Sequence, residues 1–472
     1  MAYEIVGSRV LGPYLGTSIF IWTSLIGIVL ASLSLGYWLG GRLADREPSY
    51  PRLAWIILLS GIFILLSNLF KDLFLRHLPS LLPGLRWQSI VSSLILFAPA
   101  AVMLGMVSPY AVRLKIKALE TSGRTVGNLY ALSTIGSIVG TFLAGFFLLP
   151  LTGTTALIYG LAIVQALLSV FLFLYANKLK SGVLSLFLLL LSSYSLLAAN
   201  VRVSAYIDTD THYNRVWIYN AIDPVSGKEA RFMRINNESS SAMFPGSDSL
   251  VFPYARNYSL AEQLTPGFRS TLMLGGAAYS FPKYFLRAYP TASMDVVEID
   301  PELTHLAREH FHLKDDPRLG IFHEDARTYI NSCQEKYDVV YGDLFRSQYT
   351  LPWHLTTLEA AVEYYRVLND GGCMMVNIIS PIQGPGSRFL SAELATFSKV
   401  FDHVRIYGID DPDERETIQS IMLVAMKSKG EFPAVDLSGY TVSDVTGLVP
   451  GGIPILTDDF APVDYFMAAA IH

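Results

Sequence analysis

Thr271-Leu272-Met273-Leu274-Gly275-Gly276-Ala277-Ala278, followed by Met294-Asp295-Val296-Val297-Glu298-Ile299-Asp300, is the stretch that decides the fold. Each run is short and apolar and stops on residues of another kind, small ones in the first and acids in the second. A strand buried on both faces of a sheet reads this way. Gly320 to His323, Asp338 to Tyr341 and Cys373 to Ile379 repeat the pattern, and helical stretches such as Pro301 to His310 and Thr357 to Leu368 lie between them. This alternation predicts a doubly wound α/β sheet with its ligand at the carboxyl ends of the strands. Upstream, Arg215 to Asn220 and Ala230 to Asn236 alternate as strands do around Asp223, Pro224 and Gly227, which predicts a β-hairpin ahead of the sheet.

The residues before this half are of a different class. Residues 1–200 hold 13 Lys+Arg and 5 Asp+Glu, against 22 and 35 in residues 201–472. The whole chain is 51% hydrophobic and 16% charged, with a mean hydropathy of +0.38. That is too apolar for an ordinary soluble protein, in which about 25% of residues are charged. Long apolar runs, each near the roughly 20 residues that cross a bilayer core, predict spans at Ser18 to Gly40, Leu53 to Phe70, Gln88 to Val112, Gly127 to Leu149, Thr155 to Ala176 and, shorter, Val183 to Ala199. The first 16 residues read as half a span. Two domains follow: a transmembrane helical domain of about six to seven helices over 1–200, and a ligand-binding α/β domain over 201–472. No signal peptide is expected, because the start lacks a basic flank and a short apolar core before a cleavage site.

Arg42, Arg46, Arg52, Arg113, Lys115, Lys117, Arg124, Lys178 and Lys180 fall in loops on one side of the membrane, which marks that side as cytoplasmic. The other side has only Arg9, Lys71, Arg76 and Arg86. If all six segments cross, the second half lies outside. If the last does not, or the N-terminal half-span changes the count, it is cytoplasmic, which suits an integral inner or plasma membrane protein acting on a cytosolic nucleotide. Small residues spaced by three (Gly36 and Gly40, Gly136 and Gly140, with Thr141 near Gly145) predict close helix packing. The span cores show almost no ionisable residues, so packing is favoured over transport. Pro99 and Pro109 bracket Met103 to Met106, where a kink is expected.

Three strand ends carry chemistry. Gly275-Gly276-Ala277-Ala278 lets a ligand approach backbone and the following helix start. Glu298 can accept both hydroxyls of a ribose. Asp325, in His323-Glu324-Asp325-Ala326, can accept from an adenine amino group while the neighbouring backbone meets a ring nitrogen. Each acid could instead cap the next helix, but three such ends in series favour an adenosine-type ligand. Cys333 and Cys373 match no metal spacing, so neither a disulfide framework nor a metal site is expected. The acidic balance of the second half argues against nucleic acid as a partner.

Taken together, Tyr213-Asn214-Arg215-Val216, Gly275-Gly276, Val297-Glu298-Ile299-Asp300, Glu324-Asp325-Ala326, Tyr337-Asp338-Val339-Val340 and Asp343 resemble the spermidine synthases, the polyamine aminopropyltransferases, over about Tyr206 to Lys427. Ser34-Leu35-Gly36-Tyr37-Trp38-Leu39-Gly40-Gly41-Arg42-Leu43-Ala44-Asp45 and the tail Leu456-Thr457-Asp458-Asp459 with Ala461-Pro462-Val463 resemble the membrane-fused spermidine synthase-like proteins. The resemblance implies an α-helical transmembrane bundle followed by an α/β Rossmann-like domain of the spermidine synthase or methyltransferase type. It implies an adenosyl sulfonium substrate, S-adenosylmethionine or its decarboxylated form, held by Asn214, Tyr254, Gly275, Gly276, Ala277, Glu298, Ile299, Asp325 and Ala326. By the resemblance Asp343 would be catalytic, beside the sulfonium; Tyr341 and Arg346, the latter outside the family's pattern, are the further catalytic candidates.

Two positions depart from the family. Ala278 stands where the glycine loop normally continues with an acid for the ligand's ammonium, and Arg346 stands where a second acid follows Asp343. A diamine enters as a dication and needs carboxylates to offset its desolvation, whereas Arg346 suits the carboxylate of intact S-adenosylmethionine. The expected reaction is therefore a lyase cleavage of the Cγ–S bond by the substrate's own carboxylate, releasing methylthioadenosine and homoserine lactone. The alternatives are aminopropyl transfer from decarboxylated S-adenosylmethionine to an amine, methyl transfer, and a nucleotide-sensing transporter. The partners expected are a small-molecule substrate and the lipid bilayer, with a homo-oligomer left open.

Overall fold

The computed structural model describes residues 2–116, 122–178, 183, 185, 187, 190–192, 206–236, 238–344, 352–409 and 413–468. The chain divides into two compact units, Met1–Val203 and Ser204–His472.

The first unit is helical. α1 (Ala2–Leu15) is 14 residues long and nearly all buried, and at 1.5 Å per residue it extends about 21 Å, short of a bilayer core of about 30 Å. Four helical stretches, Ile19–Arg46, Tyr50–Leu81, Ser122–Leu148 and Leu151–Tyr175, are each long and apolar enough to cross a membrane. We call the first two α2 and α3. The third expected span is broken: α4 (Leu85–Leu96) and α5 (Ala98–Lys115) meet at 50°. The bend sits at Phe97, just ahead of Pro99, whereas Pro109 lies inside α5. Proline at the second position of a helix has no donor to lose, so the chain restarts there at little cost. α6 (Ser122–Phe142) runs into a π-helical segment, Leu143–Leu148. α7 (Leu149–Tyr175) is interrupted at Gly153, whose φ is +75°.

α3 extends to Leu81, so Lys71 and Arg76, read from sequence as loop residues, are helical. Lys71 is buried and donates to Thr155 Oγ1 at 3.3 Å, and Tyr14 donates to Asp72. The small-residue spacings behave unequally. A Cβ at Gly36 would come within 2.3 Å of the Val102 carbonyl oxygen and one at Gly40 within 2.6 Å of the Met106 Cα, so α2 packs on α5 through them, while nothing lies within 4 Å at Gly136 or Gly145. The expected last span, Val183 to Ala199, lies mostly outside the described residues.

The second unit begins with an antiparallel sheet, ordered β1 (Tyr206–Asp210), β2 (Arg215–Ile222), β3 (Glu229–Ile235), β4 (Glu238–Met243). The expected hairpin is its middle pair. The outer strands escape sequence reading because Tyr-Ile-Asp-Thr-Asp and Glu-Ser-Ser-Ser-Ala-Met carry little apolar alternation. The larger sheet contains β5 (Ser270–Leu274), β6 (Ser293–Val297), β7 (Leu319–Phe322), β8 (Tyr337–Gly342), β9 (Leu368–Ser380), β10 (His403–Gly408), β11 (Gln419–Met426) and β12 (Ser443–Asp444). Its order is 12-10-11-9-8-5-6-7. β5 to β9 are parallel, and β11, β10 and β12 close one edge antiparallel.

Alternation along the strands divides the core. On β8, Val339 and Tyr341 join a cluster with Tyr258, Phe281 and Phe285, whereas Val340 joins one with Leu355, Tyr364 and Phe389. Both faces are thus covered, as the continuous apolar runs require. The flanking helices include α8 (Ser280–Ala288), α9 (Pro301–His310), α10 (Ala326–Ser332), α11 (Leu358–Val367), α12 (Arg388–Phe397) and α13 (Val463–Ala468). Asp300, Asp325 and Thr357 cap α9, α10 and α11 with their side chains.

Candidate active site

The strand order reverses between β5 and β8, the place where open α/β sheets bind ligands. Leu274 pairs with both Val297 and Gly342, and Gly342 with Val376, so Gly275, Glu298, Asp343 and Asn377 stand side by side just past the paired residues. Gly275 has φ +91°, and a Cβ on it would come within 2.2 Å of the Asp343 carbonyl oxygen. Only glycine fits. Ala277 and Tyr279 also have positive φ, 46° and 57°, so the loop holds backbone strain of the kind that clusters at ligand sites.

That curl aims two backbone donors at one acid. Gly276 and Ala277 N–H groups donate to Glu298 Oε2, each at 3.0 Å, and the Asp300 N–H donates to Oε1 at 3.0 Å. Glu298 is buried, and burial pushes its carboxyl up while these three N–H groups oppose it. Its sequence neighbour Asp300 turns away from the cleft: it accepts from Asn214 Nδ2 at 3.0 Å and from the Glu302 N–H at 3.2 Å, tying the small sheet to α9. Asn214 Oδ1 accepts from Asn236 Nδ2 at 2.9 Å.

At the end of β7, Asp325 caps α10. Its Oδ1 accepts from the Arg327 and Thr328 N–H groups at 2.9 and 3.2 Å, while Oδ2 faces His354 Nε2 at 3.4 Å. The hydrogen bond from His354 leads in holding this carboxyl down at about 2. At the end of β8, Asp343 accepts from the Tyr254 hydroxyl at 2.9 Å and from Asn377 Nδ2 at 3.4 Å. Burial raises its carboxyl to about 6 against the pull of those two donors. Burial, and then the Asp343 charge, pushes the Tyr254 phenol well above its ordinary value.

One cleft in the second unit collects Asn214, Tyr254, Gly275, Gly276, Ala277, Glu298, Ile299, Asp325, Ala326 and Asp343. Tyr341 is not part of its lining. One pleat below Asp343 on the same face, it is wholly buried against Tyr258 and Phe281, with ring centroids 5.1 and 5.0 Å away. Its ring sits in the core, and the catalytic role expected of it gains no support from the described lining. Arg346 lies outside the described residues. Ala278 is buried in the apolar cluster with Leu303 and Phe311, so its side chain does not line the cleft either. Sequence reading passed over Asn377, whose Oδ1 is buried without a hydrogen-bond partner, and Glu238. Parity along β9 could have found Asn377, a polar residue in an apolar strand. Among the described lining residues are five carboxylic acids (Glu238, Glu298, Glu324, Asp325, Asp343) and no lysine or arginine. Among the described residues no group of three or more His, Cys, Asp or Glu side chains could hold a metal.

No family model matches the chain. A polyamine aminopropyltransferase of Vibrio vulnificus is 28% identical over 181 residues, 38% of this chain and 58% of that protein. Polyamine aminopropyltransferase 1 of Streptomyces coelicolor is 25% identical over 413 residues, 82% of this chain and 74% of that protein. The chain is spermidine synthase-like. It spans little more than half the length of the Vibrio relative, while the Streptomyces match reaches beyond the spermidine synthase-like unit into the helical one. Among solved structures, a probable spermidine synthase from Corynebacterium glutamicum aligns with 24% identity and a TM-score of 0.42, over 58% of this chain and 96% of its own.

Proposed function

We propose that the second unit is an aminopropyltransferase. It binds decarboxylated S-adenosylmethionine and passes the aminopropyl group to an amine, releasing 5'-methylthioadenosine. The observation that carries this reading is the charge of the cleft: five carboxylic acids and no described cation. A sulfonium, the ammonium of an aminopropyl chain and an incoming amine are all positive, and the cost of desolvating them is offset only by nearby negative charge. The carboxylate of intact S-adenosylmethionine finds no such partner among the described residues. The names of the relatives support the same choice over the lyase expected from sequence.

The chemistry assigns a part to each side chain. Glu298, fixed by three N–H donors, has lone pairs left for ribose hydroxyls, and Asp325 with Ala326 flanks the base. The amine nitrogen forms its bond to the carbon next to sulfur as the C–S bond breaks, and the sulfur leaves with the electron pair as a neutral thioether. The attacking nitrogen must shed a proton, and the Asp343 carboxylate accepts it. A carboxyl at about 6 is closer to that task near neutral pH than an ordinary one. Tyr254 and Asn377 hold its orientation.

The lyase reading rests on the departures at 278 and 346 in the sequence, and the Ala278 side chain turns away from the cleft. The two readings separate on amine dependence. Methylthioadenosine formed from decarboxylated S-adenosylmethionine only when an amine is added supports transfer, and its formation from intact S-adenosylmethionine without any amine overturns it. We further propose that the first unit sits in the inner or plasma membrane with the second on the cytoplasmic side.

A further inference from the structure

The tail turn around Asp458 lies outside the cleft, yet its contacts converge on it. Thr457 and Phe460 exchange backbone hydrogen bonds at 3.0 Å each, which presents the Asp458 carboxylate. Asp458 Oδ2 accepts from Arg327 Nη2 at 2.9 Å and Oδ1 from the Thr357 hydroxyl at 2.7 Å. The Asp458 N–H donates to Glu359 Oε2 at 2.9 Å. Leu456 accepts from the Leu358 N–H at 2.8 Å and donates to Thr396 Oγ1 at 3.0 Å. Arg327 in turn donates through Nη1 to the His354 carbonyl oxygen at 2.6 Å. The ring of that same His354 faces Asp325. A chain of contacts thus runs from Asp458 through Arg327 and the His354 backbone to Asp325, and Asp325, Pro352 and Leu355 line the cleft.

The energetics favour a geometric role. The Asp458 side chain is 43% exposed, and ion pairs open to solvent contribute little to stability. Its two oxygens nonetheless fix an arginine fork and a threonine that caps α11, on either side of the 352–357 segment. We infer that the tail turn 456–460 belongs to the nucleoside end of the site, with Asp458 as a positioning residue that sets where Asp325 and the 352–357 segment stand against the base. This rests on the reading that a nucleoside binds at Asp325.

The test is calorimetric titration of 5'-methylthioadenosine into the full-length protein in detergent, as wild type, Asp458→Asn, Asp458→Glu, Arg327→Lys and Asp458→Asn/Arg327→Lys. Each neutralised or unforked variant is expected to bind about tenfold more weakly. The double variant should be no weaker than the weaker single, Asp458→Glu should recover part of the loss, and KM for the amine should not move. Should Asp458→Asn fail to fold, Arg327→Lys, which keeps the charge and loses the fork, reads the same link. Wild-type affinity in both Asp458→Asn and Arg327→Lys, or an equal rise in both substrates' KM, overturns the inference. Absence of binding to the wild-type protein instead overturns the nucleoside reading beneath it.

Discussion

The Tyr254 hydroxyl donates a 2.9 Å hydrogen bond to the Asp343 carboxylate, at the switch point of the sheet and in a cleft without a described cation. Asp343 is held at about 6 by burial, so kcat/KM should rise with pH through about 6 and fall away below it as the carboxylate is protonated. Asp343→Asn should remove this limb along with at least about a hundredfold of turnover. A pH–rate profile of the purified protein checks both.

Burial of this carboxylate also bears on stability. Its folded value lies above the ordinary 3.8, so folding is not penalised below about 3.8, the penalty grows to about 6, and it is constant above. At pH 7.5 it amounts to on the order of 3 kcal/mol, and Asp343→Asn should unfold at a higher temperature than wild type at pH 7.5 and show little gain at pH 4. Thermal denaturation at the two pH values is the measurement.

Tyr254→Phe removes a donor that lowers Asp343. The acid limb should move to higher pH with kcat at its plateau reduced several-fold, a shift that simple loss of packing would not give. The profile of the phenylalanine variant decides it.

Gly275→Ala combines a left-handed φ with a Cβ 2.2 Å from the Asp343 carbonyl oxygen. The backbone alone should cost about 1–2 kcal/mol, and relief of the clash displaces the segment that carries Asp343. Loss of methylthioadenosine binding with a lowered unfolding temperature is expected.

In the helical unit the glycines separate by contact. Gly40→Val should destabilise the α2–α5 pair by about 1–3 kcal/mol through overpacking, because the Met106 backbone already fills that space, whereas Gly136→Ala, with nothing within 4 Å, should be neutral. Detergent-solubilised monodispersity against temperature compares them.

Glu298 and Asp325 were readable because an acid ending an apolar strand breaks a strong pattern, whereas Asp343 was reached only through the family resemblance. The depth of Tyr341 was not readable, because chain proximity to Asp343 says nothing of it; Tyr341 lies one pleat farther in. Asn377 went unread because its meaning depends on register with β8, which pairs Gly342 with Val376. β1 and β4 stayed hidden because polar strands at the margins of a small sheet carry almost no periodicity. The break at Phe97 was half legible: the prolines pointed to a kink, but position within the new helix decided which proline mattered.

The most direct measurement is a one-pot competition: detergent-purified protein with equal intact and decarboxylated S-adenosylmethionine and a diamine, followed by mass spectrometry, in wild type and Asp343→Asn. Consumption of the decarboxylated form alone, with methylthioadenosine and aminopropylated amine in equal amounts and both lost in Asp343→Asn, is the predicted result. Methylthioadenosine with homoserine lactone from the intact form, and no aminopropylated amine, would contradict it.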